Sequence, residues 1–349
     1  MKTVYVGLSG GVDSSVSAAL LKEQGYNVVG VYMKNWTQDI GGTECPWASD
    51  LADARAVAAV LDIPFKVFDF QSEYKKRVVD IMVAEYTAGR TPNPDVLCNQ
   101  DIKFKIFLES ALKDGADMIA MGHYARVNSR QLLTAIDPNK DQTYFLYRVT
   151  GDALAKTIFP IGGMEKSKVR ELAKYYGLPT ATKPDSQGIC FVGEVGIKSF
   201  LSEYIKPESG PIICNDEVIG RHDGAIFYTI GQRHGLGVGG GKPYYVIAKD
   251  MEKNIVYVSD DVDDGDLLTS IVAIGTTSWI ADEPNPDKSY SIRIRHRGKL
   301  TKARLVRDGK LWIATLESPE RAVAVGQSAV IYDGEVVIGG GLITKIPDR

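Results

Sequence analysis

Residues 6–21, Val-Gly-Leu-Ser-Gly-Gly-Val-Asp-Ser-Ser-Val-Ser-Ala-Ala-Leu-Leu, set small side chains between an apolar strand pattern and an apolar helix pattern. Ser9-Gly10-Gly11 can aim backbone N–H groups at an anion. Asp13, Ser14 and Ser15 fall in the first helical turn, where the helix dipole favours negative charge. That is phosphate-binding chemistry, yet no lysine accompanies it. The string is therefore not the G-x-x-x-x-G-K-[ST] loop of terminal phosphoryl transfer, and the dinucleotide pattern G-x-G-x-x-G is also absent. Gly7-Leu8-Ser9-Gly10-Gly11 matches the nucleophile elbow G-x-S-x-G. Six residues precede it, too few for the upstream strand and loop that would supply a second oxyanion donor.

Two cysteine segments carry the other candidate chemistry. In Gly89-Arg-Thr-Pro-Asn-Pro-Asp-Val-Leu-Cys-Asn99, Pro92 and Pro94 predict an extended loop that displays Asp95 and Cys98 on irregular backbone. In Asp185-Ser-Gln-Gly-Ile-Cys-Phe191, Cys190 follows Lys183-Pro184 and a turn pattern. Cys214, in Ile-Ile-Cys, reads as a small buried hydrophobe. Cys45, between Trp36 and Trp47, stays undecided. With no C-x-x-C pair and no His-rich cluster, no protein-held metal is expected.

These residues need a scaffold, and the first half supplies a βα alternation. Strand patterns lie at Val4–Leu8, Val28–Met33, Phe65–Phe70 and Met118–Met121. Helix patterns lie at Leu51–Leu61, Glu73–Tyr86, Lys103–Lys113 and Met164–Tyr176. Such alternation predicts an α/β fold with a doubly wound parallel sheet that binds ligands at the C-terminal strand ends. Short strands follow, at Pro211–Cys214, Ala225–Thr229, Tyr244–Ala248 and Ile255–Val258, and an acidic run at 260–266 marks a boundary. Beyond it, strands and turns alternate as in a small β-barrel. The expected domains are 1–200, 201–266 and 267–349. A chain of 349 residues with 44% apolar and 24% charged residues is an ordinary globular composition. The N-terminus enters a strand at once and no apolar run spans a bilayer, so a cytoplasmic protein without a membrane partner is expected.

The string Ser-Gly-Gly-Val-Asp-Ser-Ser resembles the PP-loop of the ATP pyrophosphatases, which split ATP into AMP and pyrophosphate. Several motifs together resemble the tRNA-specific 2-thiouridylases: Met-Lys-Asn-Trp (33–36), the 89–99 segment, Met-Gly-His-Tyr (121–124), the run 139–147, the 185–191 segment, Gly-Gln-Arg-His-Gly-Leu-Gly (231–237) and Gly-Gln-Ser-Ala-Val (326–330). The resemblance implies a PP-loop domain, a small β-rich central domain and a C-terminal β-barrel that contacts tRNA. It implies ATP, with Mg²⁺, on Gly7, Leu8, Ser9, Gly10, Gly11, Val12, Asp13, Ser14, Met33 and Gly122. Asn93, Pro94 and Asp95 would face the wobble uridine, with Asp95 as acid/base. Cys190 would carry sulfur as a persulfide and Cys98 would be its nucleophilic partner, the two ending as a transient disulfide. His123, Lys140, Asp141, Gln142, Arg295, His296 and Gln327 would touch tRNA. The implied reaction adenylates the uridine C2 oxygen and replaces it with sulfur supplied by a cysteine desulfurase or sulfur-relay protein. His234 departs from the family, where a lysine is usual, and so does Gln187, where a threonine is.

A basic segment fits either a solvated barrel face or a phosphate-contacting stripe, and the resemblance to a tRNA enzyme favours the stripe. Residues 293–310 hold eight Lys/Arg and one acidic residue, in a chain of net charge −3. Arg293, Arg295, Arg297 and Lys299 share one parity, so a strand there would project them from one face. Two other readings compete. An amidating adenylate-forming synthetase would need an ammonia source, and no glutaminase segment is present. An ATP-binding redox sensor would leave the basic segment without a role.

Overall fold

The computed structural model describes residues 1–185, 196–239 and 241–344. Its first strands are β1 (Thr3–Gly7), β2 (Asn27–Lys34), β3 (Phe65–Asp69) and β4 (Met118–Ala120). A hairpin, β5 (Arg126–Asn128) and β6 (Gln131–Leu133), precedes β7 (Thr157–Ile158). Strands β3-β2-β1-β4-β7 form one sheet, in that order and all parallel. The period-2 alternation of strands splits it cleanly between two cores. Val4 and Val6 pack with α1 (Val12–Glu23) and α2 (Trp47–Val60), while Tyr5 faces the core under Tyr74, Met82 and Phe107. The sheet is thus doubly wound, as expected. Strand order reverses between β1 and β4, so the loop after β1 and the Met121-Gly122 turn after β4 lie side by side at the crevice.

A second sheet has the order β10-β11-β8-β9, from β8 (Gly210–Cys214), β9 (Glu217–His222), β10 (Tyr245–Asp250) and β11 (Ile255–Ser259). The strand expected at Ala225–Thr229 is instead a 3₁₀ turn over Ala225–Phe227. Gly224, at φ 141°, turns the chain sharply into it.

The third sheet contains β12 (Leu268–Trp279), β13 (Ser289–Arg293), β14 (Thr301–Asp308), β15 (Leu311–Arg321), β16 (Ser328–Asp333) and β17 (Val336–Thr344). Pairing of β12 with β17 closes these six into a barrel. Hairpin β5–β6 adds to its outside through Leu133 opposite Val336, so this sheet borrows strands from the first 200 residues. The run 139–147 completes the junction. Tyr144 and Tyr147 are fully buried, and their hydroxyls bond the Ser328 carbonyl and hydroxyl.

Candidate functional site

The loop after β1 turns on Gly10, at φ +76°; a Cβ there would also sit 2.5 Å from the Asp50 carbonyl oxygen. Only glycine meets both demands. Gly11 then begins α1 with extended backbone, and no side chain among the described residues caps the helix. The hydroxyls of Ser14 and Ser15 turn back to the Gly11 carbonyl instead, at 3.0 and 2.7 Å. The helix therefore opens toward the crevice with its first N–H groups uncovered by side chains of the described residues, the arrangement an anion requires. Gly122 presses on this turn so closely that a Cβ would lie 2.7 Å from Ser14 N. Met33 and Met121 pack against Gly7. The structure thus brings together the residues expected to bind ATP: Gly7 through Ser14, Met33 and Gly122.

Asp13, in that first turn, does not stand alone. The Tyr124 hydroxyl donates to its Oδ1 at 3.0 Å, and Lys166 Nζ donates to the same oxygen at 2.7 Å. Lys166 also reaches Asp185 Oδ1 at 2.9 Å, while Lys140 bonds Asp185 Oδ2 at 2.6 Å and Arg170 bonds Oδ1 at 2.5 Å. Burial would raise the Asp185 carboxyl, but the hydrogen bonds and charges of Lys140 and Lys166 hold it far below the usual carboxylate range. Lys183, two residues earlier, clamps Asp50 and Asp53 of α2. Sequence reasoning missed Lys166, Arg170 and Lys183. The other partners, Tyr124 and Asp185, lay unremarked inside the quoted motifs. Asp13 and Lys166 are 153 residues apart, and no spacing rule joins them.

The segment carrying Asp95 and Cys98 corrects the sequence reading. It is not an extended display loop. Pro94 is the first residue of a continuous helix over 94–113, and the Asn93 carboxamide oxygen accepts from Asp95 N at 3.1 Å and Val96 N at 3.4 Å. Proline at the first helical position needs no N–H partner, so Asn-Pro-Asp builds a capped helix start. Cys98 opens a π-helical stretch, Cys98–Ile106, and is only 1% exposed. Such wide turns recur at functional sites. Two distant parts of the chain converge on Thr91, just before Asn93. Thr91 N donates to the Val325 carbonyl, Gln327 Nε2 donates to the Thr91 carbonyl at 3.2 Å, and the Thr91 hydroxyl lies 3.1 Å from that of Thr229. Cys190 lies outside the described residues. Burial pushes the Cys45 and Cys214 thiols up, which disfavours the thiolate each would need as a nucleophile.

Residues 2–194 match the family model for the tRNA methyl transferase HUP domain, 198–260 that for its PRC-barrel domain, and 269–343 the aminomethyltransferase beta-barrel domain. The tRNA-specific 2-thiouridylase MnmA of Nitrosomonas eutropha is 47% identical, covering 98% of each chain. That of Bacillus subtilis is 46% identical over 98% of this chain and 95% of its own. The chain belongs to the tRNA-specific 2-thiouridylase family. The methyl-transferase wording of two domain descriptions yields to relatives named 2-thiouridylases over nearly the full length. A structure of NMN synthetase from Francisella tularensis, at 20% identity and TM-score 0.35, covers 53% of this chain and 66% of its own, too weak a likeness to carry any conclusion.

The residues expected to touch tRNA sit in varied settings. Strand β13 ends at Arg293, and the chain turns over 294–297, with Gly298 N donating to the Arg295 carbonyl and Arg297 at φ +59°. The expected four-residue cationic strand face is therefore not formed. Arg293 points inward to Asp141 Oδ2 at 3.1 Å, whereas Arg295 and Arg297 are exposed. A cleft of about 350 Å³ is lined by Pro138, Asn139, Lys140, Asp141, Arg293 and Arg297, with Gly298. Asp141, 5% exposed, is an internal anchor that also accepts from Ala135 N and the Thr143 hydroxyl. The Gln142 side chain accepts from Tyr124 N. His123, 8% exposed, lies among Phe104 and Phe159 with Lys103 at 3.5 Å, and burial followed by the lysine's charge keeps it neutral. His296 packs against Phe145, tilted, with ring centroids 4.4 Å apart, and burial, then Arg297 and Arg293, lowers its pKa.

No helix among the described residues is long and apolar enough to cross a membrane, and none of their acidic, His or Cys side chains cluster into a metal site. The residues present suit a magnesium ion carried in on ATP. Asp13 is the carboxylate in the first turn of α1, and Mg²⁺ is usually bound by one or two carboxylates with phosphates and water.

Proposed function

We propose that this chain converts the wobble uridine of tRNA to 2-thiouridine in the cytoplasm, consuming ATP to AMP and pyrophosphate. The observation that supports it best is the α1 N-terminus, left open under Gly122, in a chain whose relatives over 98% of its length are named tRNA-specific 2-thiouridylases. The open N–H groups orient the triphosphate, and Asp13 would hold its Mg²⁺, so that the uridine C2 oxygen attacks the α-phosphorus and pyrophosphate leaves. Mg²⁺ supplies charge neutralisation on the phosphates. A carbonyl oxygen is a poor leaving group; as part of AMP it departs readily.

Asp95, held at its helix start by Asn93, moves the proton at the uracil ring. A persulfide on Cys190, loaded by a desulfurase or relay protein, attacks C2 and displaces AMP. The Cys98 thiolate then attacks the Cys190 sulfur, breaking the S–S bond. The outer sulfur stays on C2 and a Cys98–Cys190 disulfide forms, to be reduced before the next cycle. Arg295, Arg297 and the cleft beside Lys140 hold tRNA phosphates, and His123, His296, Gln142 and Gln327 shape the surface around them. Nucleotide products separated after incubation with ATP and tRNA test this reading. AMP and pyrophosphate, formed only when tRNA is present, are expected; ADP and phosphate would refute it.

A further inference from the structure

We propose that Lys166 is the cation of the lysine-less phosphate loop and holds the pyrophosphate end of ATP. This rests on the reading of that loop as an ATP site. The sequence around residues 7–14 contains no basic side chain, but the fold returns one from far downstream. Lys166 Nζ lies 2.7 Å from Asp13 Oδ1, in the first turn of α1, and its side chain is 14% exposed. The ammonium sits over the Tyr124 ring at 5.7 Å, and the hydroxyl of that ring bonds the same Asp13 oxygen. Gly122, two residues from Tyr124, abuts Ser14 N. Cation, open helix end and crevice are therefore one unit.

The placement of Lys166 is poor for its own helix. It is the first residue of Lys166–Tyr175, directly after the N-cap Glu165, so the ammonium sits at the positive end of that dipole. A residue chosen for helix stability would be acidic there. Asp13 and Asp185 offset the charge in the free chain. With ATP in place, the flexible four-carbon stem lets Nζ turn from Asp13 toward a phosphate oxygen without backbone movement. Asp185, itself bonded by Lys140 and Arg170, is a positioning residue that keeps the lysine at the loop. As pyrophosphate departs, negative charge grows on it, and a fixed cation at that end stabilises the change.

The test is calorimetric binding of inorganic pyrophosphate and of AMP, each with Mg²⁺, to the full chain. Lys166→Ala is expected to weaken pyrophosphate binding by roughly ten- to a hundredfold, as for a lost hydrogen bond between charged groups. AMP binding should be unchanged, which also certifies the fold. Lys166→Arg should recover most of the loss, and Lys166→Gln, which keeps the stem, should behave like the alanine variant. Lys166→Ala combined with Asp185→Asn removes one charge of each sign. If it still binds pyrophosphate weakly, the ammonium acts by contact; restored binding would reduce Lys166 to a neutraliser of Asp13 and Asp185 and overturn the proposal. Equal binding by wild type and Lys166→Ala overturns the lysine alone. A wild-type chain that binds neither ATP nor pyrophosphate overturns the loop reading with it.

Discussion

At the start of α1, Gly11 supplies no side chain and the first turn stays uncapped, whereas at Pro94 the Asn93 carboxamide takes the N–H groups of Asp95 and Val96. Both turns sit between small or proline residues in the sequence, and both begin helices that bear proposed site residues. One end has no side-chain cap among the described residues, which leaves its N–H groups open to the proposed ligand. The other is satisfied by the protein, so that Asp95 and Cys98 are held without a ligand. The contrast separates two tasks: binding an anion through backbone, and fixing a carboxylate and a thiol in place through a cap.

Closing the open end should produce the larger effect. In Gly11→Asp the backbone, at φ −99° and ψ 164°, accepts any residue, and the new Cβ meets only the Ser9 hydroxyl, at 3.4 Å. The carboxylate would cap α1 and occupy the phosphate position. ATP affinity should fall by roughly a hundredfold or more, while thermal stability is held or raised by a few tenths of a kcal/mol. Titration of ATP beside a melting curve checks both, and a variant that still binds ATP would mean the N–H groups are not the cradle.

Opening the closed end should do the reverse, and less. Asn93→Ala removes the cap and should cost about 1 kcal/mol of stability, read by denaturant unfolding, with ATP affinity unchanged. Loss of ATP binding in this variant would show that the two helix ends are not independent.

The difference also marks what could be read from the chain alone. The turn before α1 was legible because its geometry is local: glycine at positive φ, small residues, then a helix within eight positions. The doubly wound sheet and the barrel were legible from periodicity. The start of the 94–113 helix was not: Lys103–Lys113 reads as helix, but Pro92 and Pro94 read as loop, and the cap that makes Pro94 a helix start depends on a single Asn93 oxygen. The basic segment misled for a related reason. Parity predicts a face only while a strand continues, and this one stops at Arg293 before the Arg297-Gly298 turn. Lys166 gave no sequence signal, because its partnership with Asp13 exists only after α1 and the helix Lys166–Tyr175 pack together.

In the proposed reaction, ATP chemistry at the open helix end serves sulfur insertion through the thiol at the closed one. Its most direct test is nucleoside mass spectrometry of unmodified tRNA after incubation with the chain, ATP and a persulfide-donating desulfurase, comparing wild type with Cys98→Ser. Wild type should yield 2-thiouridine, Cys98→Ser none above background, and AMP formation should be retained in that variant. Undiminished 2-thiouridine from Cys98→Ser, or none from wild type while AMP accumulates with tRNA, would contradict it.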